Sequence, residues 1–328
     1  MRLNSPLLRL PISFDAEALA AEVRALPPSA WDPHPTGFVG NEAVRLVTPG
    51  GKPTDDITGP MAPTEHLLRC PYVMEVMAEL EGVWGRSRLM GLAAGSTVPP
   101  HVDSHYYWRT HLRIHIPVIT NPGVSFTCSN QTVHMAAGEC WVFDSYRGHG
   151  VQNNGTEQRV HLVLDTVGSS RLWNLIDQAE SGFKASGEAA KLLPGQRNSV
   201  GLAFEQINAP KVMSPWEIRC HLAFLKEHAL PHPQLDAVFK AFDKFVCAWG
   251  AAWARFEASD EGLPTYRELM TSIRRELNDL RGGGIQLDNG KPLYFFVEQL
   301  VFIYAIADQR GSKPAATAQP SAGARVAS

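Results

Sequence analysis

The stretch from His101 to Asp165 constrains this chain more than any other. It contains apolar runs at Leu112 to Thr120, Val124 to Ser129, Thr132 to Met135 and Glu139 to Asp144. Asn121-Pro122-Gly123, Asn130-Gln131 and Ala137-Gly138 separate them. Short strands at even spacing, broken by turn residues, predict a sandwich, jelly roll or barrel. His101-Val102-Asp103 opens the stretch, His149 sits in Gly148-His149-Gly150, and the run Arg159 to Asp165 closes it.

Residues i and i+2 of a strand point to one side, so His101 and Asp103 can reach a single metal ion together. His149 must then arrive from another strand or loop folded back over them. Two imidazoles and one carboxylate are the ligand set of the facial triad, which holds Fe(II) and leaves positions for a cosubstrate and O2. His-x-Asp alone is weak, because both residues are common in loops. Arg159 sharpens the reading: it shares a strand face with His161 and Val163, and a guanidinium facing a barrel interior is costly unless paired. Its fork suits a carboxylate, which 2-oxoglutarate would supply. The run from Leu112 repeats the pattern, with Arg113, His115 and Pro117 on one face and Leu112, Ile114 and Ile116 on the other. That arrangement fits a charged pocket inside and an apolar coat outside.

The segments RTHLRIHIPV, GECWVFDSYRGHGVQNNG and RVHLVLDT resemble the aspartyl/asparaginyl β-hydroxylase family, which includes proline cis-4-hydroxylase-like members. The resemblance spans roughly residues 85 to 170. It implies an Fe(II)/2-oxoglutarate-dependent dioxygenase that uses O2 to hydroxylate an unactivated carbon of an amino acid or of a residue in a peptide. Succinate and CO2 would be the coproducts. It implies His101, Asp103 and His149 as iron ligands, and Arg159 as the grip on the distal carboxylate of 2-oxoglutarate. Arg113 and His115 match a pair that contacts the cosubstrate. Met90 departs from the pattern, standing where the animal enzyme carries a serine. The resemblance does not fix the substrate. Two other classes are weighed against it: a cupin-like metal enzyme independent of 2-oxoglutarate, and a non-catalytic module that senses 2-oxoglutarate or a metal.

The implied fold class is α+β, a double-stranded β-helix (jelly roll, cupin-like) core with flanking helices and a C-terminal helical region. Residues 1–84 read as an α/β lead-in packed on the barrel. Residues 85–170 read as the core, 171–310 as the helical region and 311–328 as a disordered tail, rich in Ala, Ser, Pro and Gly. Helical spacing marks Asp15 to Leu26, Tyr72 to Glu81, Arg171 to Ala179, Pro215 to His228, Gln234 to Phe256 and Thr265 to Leu280. Leu235, Val238, Phe239, Phe242, Phe245, Val246 and Trp249 form one apolar stripe, which suits packing on the barrel or a homodimer surface. Gly282-Gly283-Gly284 reads as a flexible break.

At 328 residues the chain can bury a sizeable core, and a net charge of −3 shows no basic excess for nucleic acid. Five scattered cysteines without a CxxC pair read as free thiols in a reducing compartment. The first residues lack an apolar core of signal-peptide length, and no apolar run is long enough to span a membrane. The expectation is a cytoplasmic protein with a small amino acid or peptide substrate and no membrane or nucleic-acid partner.

Other polar residues receive plainer readings. His34, His66, His221, His228 and His232 read as surface or packing residues, and His134, on a barrel strand, as either structural or lining the pocket. His161 either lines the site or orients Arg159. Asp144 shapes the turn before His149, and Asp165 is structural. The aromatic run His105-Tyr106-Tyr107-Trp108 is either a substrate wall or a core-edge cluster.

Overall fold

A computed structural model describes residues 3–182, 189–199, 201–280 and 282–307. The expected tail of residues 311–328 lies outside the described residues. The chain forms two compact units, Met1–Ala209 and Pro210–Ser328, and its strands and helices make it α+β.

The first unit opens with strand β1 (Leu7–Phe14), helix α1 (Ala16–Ala25), strand β2 (Asn41–Pro49) and helix α2 (Pro71–Leu80). Asp15 caps α1 as expected, its side chain accepting from Ala18 N. Next come β3 (Val83–Leu92), β4 (Thr97–His101), the short helix α3 (Tyr106–Thr110), β5 (Leu112–Ile119), β6 (Val124–Cys128) and β7 (Gln131–Val133). Strands β8 (Glu139–Phe143), β9 (His149–Asn153) and β10 (Arg159–Thr166) and helix α4 (Ser170–Glu180) complete the series.

Among the described residues these strands lie in two sheets. The larger runs β1-β8-β5-β10-β3-β2, with four short strands added at or near its edges, and the smaller runs β4-β9-β6-β7. From β3 onward the chain alternates between them: β3, β5, β8 and β10 are in the large sheet, and β4, β6, β7 and β9 in the small one. The alternation is what carries His101 and His149 into the same small sheet although they are far apart in sequence.

The period of two divides the large sheet into an apolar and a polar face. Ile114 and Ile116 of β5 and Val160, Leu162 and Leu164 of β10 join Leu19 of α1, Val76 of α2 and Leu172 of α4 in one buried core. Each such side chain contributes about 1.5–3 kcal/mol. The opposite face carries Arg159, His161, Val163 and Asp165. The inverted pattern read from the sequence therefore holds, with the coat of helices on the outside.

Two expectations need correcting, and one strand lies where the sequence analysis marks none. Helix α4 does not begin a separate helical region: Leu172, Leu175 and Ile176 enter the first unit's core, and the chain stays with that unit to Ala209. β1 is a strand despite Pro11 in its interior. The pairing of β1 with β8 shifts register between Arg9 and Ser13, and that irregularity accommodates the proline. Gly282–Gly284 is a short 3-10 turn rather than a break. A Cβ on Gly282 would stand 2.5 Å from Tyr294 Oη and 2.7 Å from Val238 Cγ2, so this packing requires glycine.

The second unit contains α5 (Pro215–His228), α6 (Leu235–Phe256), α7 (Leu263–Asp279) and α8 (Leu293–Val297). The α6 stripe from Val238 to Trp249 is buried as its spacing predicts, and Trp249 Nε1 donates to Met213 O at 2.8 Å. Among the described residues no helix is long and apolar enough to cross a membrane.

Candidate active site

Two adjacent strands of the small sheet bring the histidines together. His101 ends β4, His149 begins β9, and the two are cross-strand partners with ring centroids 4.3 Å apart. Backbone carbonyls fix both rings. Nδ1 of His101 donates to Pro99 O at 3.0 Å, and Nδ1 of His149 donates to Arg147 O at 2.9 Å. Each contact leaves Nε2 with its lone pair free, the form in which imidazole binds a metal.

Asp103 arrives by a different route from the one the His-x-Asp spacing predicts. β4 stops at His101, so Asp103 is not a strand neighbour pointing the same way. Its N–H donates instead to Ser145 O at 3.0 Å, pinning the loop to the segment ahead of His149. That segment is shaped by Asp144, which accepts from Tyr146 N at 3.3 Å and pairs with Arg147 at 3.2 Å, in line with its expected turn role. One ligand atom from each of His101, Asp103 and His149 lies within 4.8 Å of the others.

The electrostatics keep Asp103 and His149 in metal-binding form. Burial raises the Asp103 pKa, but neighbouring positive charge, the Arg113 guanidinium foremost, outweighs it and holds the carboxyl below its usual range. Burial pushes the His149 imidazole down to about 4, so it is neutral near pH 7.

Arg113 is committed to protein carboxylates. It donates to Asp165 Oδ1 at 2.9 Å and to Asp103 Oδ2 at 3.1 Å, and it stacks on Trp108 at 3.9 Å. Arg113 thereby supports a candidate metal ligand while still lining the cavity. Trp108 borders the cavity, while Tyr106 and Tyr107 are buried, so the aromatic run splits between wall and core.

Arg159 is 4% exposed, and among the described residues no carboxylate lies within ion-pairing distance of it. Its Nη2 donates to His161 Nδ1 at 2.8 Å, while its Nε has no partner among the described residues. His161 therefore orients the arginine. Burial brings the Arg159 pKa down to about 9, which leaves the guanidinium charged at neutral pH. His115 also faces this space, with a buried Nδ1 that has no partner among the described residues; burial, then Arg159, drives its pKa well below the ordinary value.

All six candidate residues line one cavity of about 360 Å³: His101, Asp103, His149, Arg113, His115 and Arg159. Met90 lines it too. The sequence reading missed Arg86, Arg88 and His34, which share the wall. His34, read as a surface or packing residue, belongs to the pocket. The missed signal was on β3, where Arg86, Arg88 and Met90 alternate on one face just as the polar residues do on β5 and β10.

An α+β protein with a His–Asp–His cluster lining a cavity is the class that fold and site define. Residues 53–168 match the family described as Aspartyl/Asparaginyl beta-hydroxylase, and the resemblance read from the sequence is shown for that segment. L-proline cis-4-hydroxylase from Rhizobium meliloti is 24% identical over 163 residues, covering 47% of this chain and 58% of that protein's length. Among solved structures, a 2OG-Fe(II) oxygenase family oxidoreductase from Burkholderia pseudomallei is 13% identical with a TM-score of 0.34, covering 52% of this chain and 96% of that one. A prolyl-4-hydroxylase from Pseudomonas putida gives 13% and 0.34, covering 50% and 92%.

Proposed function

We propose that the protein is an Fe(II)/2-oxoglutarate-dependent dioxygenase that hydroxylates an unactivated carbon of an amino acid or of a residue in a peptide. One observation carries this reading: Arg159, a buried guanidinium with no carboxylate partner among the described residues, lines the same cavity as a two-histidine, one-carboxylate cluster. The alternation of strands between two sheets supports reading the core as a double-stranded β-helix.

The donor set suits iron. His101 and His149 would each offer Nε2 and Asp103 a carboxylate oxygen, leaving coordination positions open. Iron held by these residues would activate O2, the oxidant, with 2-oxoglutarate as the cosubstrate converted to succinate and CO2.

The chain's own residues do the rest. Pro99 O and Arg147 O hold the imidazoles in the required tautomer. Arg113 keeps Asp103 ionised and in place. Arg159, oriented by His161, would hold the distal carboxylate of the cosubstrate, and that diacid would relieve the cost of burying the cation. His115 lies on the same wall with a free polar atom to offer.

The test is to incubate purified protein with Fe(II), ascorbate, 2-oxoglutarate and a panel of amino acids and short peptides, and to measure succinate. Succinate that depends on one member of the panel supports the proposal. Activity on a panel member without 2-oxoglutarate would favour a cosubstrate-independent metal enzyme instead.

A further inference from the structure

The cavity holds a second buried cation that cosubstrate binding at Arg159 does not use. Arg88, on β3, is 6% exposed, and among the described residues no carboxylate lies within ion-pairing distance of it. The nearby acids are engaged elsewhere: Asp55 with Arg45 at 2.6 Å, Asp165 with Arg113 at 2.9 Å, and Asp103 with Arg113 at 3.1 Å. The group that holds Arg88 is neutral, since Nη1 donates to His34 Nε2 at 3.0 Å. Burial, then the charge of Arg88, pushes the His34 pKa down to about 3, so this imidazole orients the guanidinium without neutralising it. A buried charge left in this state costs several kcal/mol unless a ligand supplies the counter-ion.

Arg88 does not duplicate Arg159. Along the paired strands Arg159 faces Leu92 and Val163 faces Arg88, a separation of four residues, or about 13 Å at about 3.3 Å per residue. Their heads are tied to different anchors, Arg159 to His161 and Arg88 to His34. The Arg88 end of the cavity is also lined by Pro35, Thr36 and Phe38, from the loop that carries His34. This end sets Arg88 beside Arg86, which lies 3.8 Å from Asp165, and beside Asp55, which Arg45 engages, together with apolar surface.

We infer that Arg88, aimed by His34, is the seat for a carboxylate of the prime substrate, and that the substrate is a small acid of amino-acid size held by that group. The inference rests on the dioxygenase reading for what happens to the substrate, but not for the seat itself. At about 360 Å³ the cavity is near the small end of ligand pockets, which run from roughly 300 to 1,000 Å³. The carboxylate can come from the α-carboxyl of a free amino acid or from an acidic side chain.

Calorimetric titration of the full chain, held with Mn(II) under argon, tests this. The probes are the common L-amino acids, their carboxamides, and N-acetyl-L-aspartate amide, whose only acid is its side chain. The expected result is binding of at least one free acid, with its carboxamide about tenfold weaker or worse, as loss of a charge-assisted hydrogen bond predicts. Binding of the aspartate derivative in place of every free amino acid assigns the side-chain source. Arg88→Met should weaken the acid to the same extent and leave 2-oxoglutarate binding in place, with Arg88→Lys intermediate. If Arg88→Met does not fold, the acid-against-amide comparison on the wild type still decides. Equal binding of acid and amide overturns the inference, and so does failure of every acid to bind. Loss of 2-oxoglutarate in place of the acid in Arg88→Met also overturns it, by assigning the residue to the cosubstrate. A wild type that binds an acid but never 2-oxoglutarate would sink the dioxygenase reading and leave the seat standing.

Discussion

Arg113 stands between two carboxylates, 3.1 Å from Asp103 on one side and 2.9 Å from Asp165 on the other. Asp165 lies one residue before the end of β10 and is 2% exposed, so it anchors the arginine, and the arginine in turn sets the charge and position of a candidate metal ligand. Arg113→Met should cost about 3 kcal/mol of stability, the lower end for leaving a buried partner uncompensated, because Arg86 remains 3.8 Å from Asp165. Urea unfolding measures that loss. The same variant frees Asp103 to follow its burial upward in pKa, so the acid limb of Mn(II) binding should move to higher pH.

Protonation should link to stability through the buried histidines. His149 is pushed down to about 4, and burial also lowers His115 and His161 well below the ordinary value. Below about 6.5 the unfolded chain takes up protons that the folded, metal-free chain refuses, so stability falls as pH drops from about 6.5 toward 4. Each histidine contributes a slope of up to about 1.4 kcal/mol per pH unit. Chelator-treated protein unfolded in urea across this range should show the decline; a flat profile would mean that these rings are not buried in the neutral form.

Arg159→Met should separate binding from folding. Without a diacid the buried cation is a burden, so the variant should unfold at the same urea concentration as the wild type or a higher one. Its KM for 2-oxoglutarate should rise by at least about tenfold. An unchanged KM would remove Arg159 from the cosubstrate site.

The polar-in, apolar-out alternation on β5 and β10 was legible because Arg113, His115, Arg159 and His161 interrupt otherwise apolar runs at a period of two. The same signature on β3 went unread at Arg86 and Arg88, since no distant ligand drew attention to that strand. His34 was not legible at all: a loop histidine enters the pocket only because the fold returns that loop to β3. Asp103 was assigned to the right cluster for a geometric reason that does not hold, as a hydrogen bond to Ser145 O brings it in and not strand pleating. β1 was hidden by Pro11, whose tolerance depends on a register shift against β8. The placement of α4 in the first core was out of reach for a related reason, because local spacing marks a helix without naming the surface it covers.

The most direct measurement compares succinate formation from 2-oxoglutarate by the wild type and by His149→Ala, each with Fe(II), ascorbate and the amino-acid and peptide panel. The account predicts substrate-dependent succinate from the wild type and none above background from His149→Ala. Absence of succinate from the wild type across the whole panel, or equal succinate from both proteins, would contradict it.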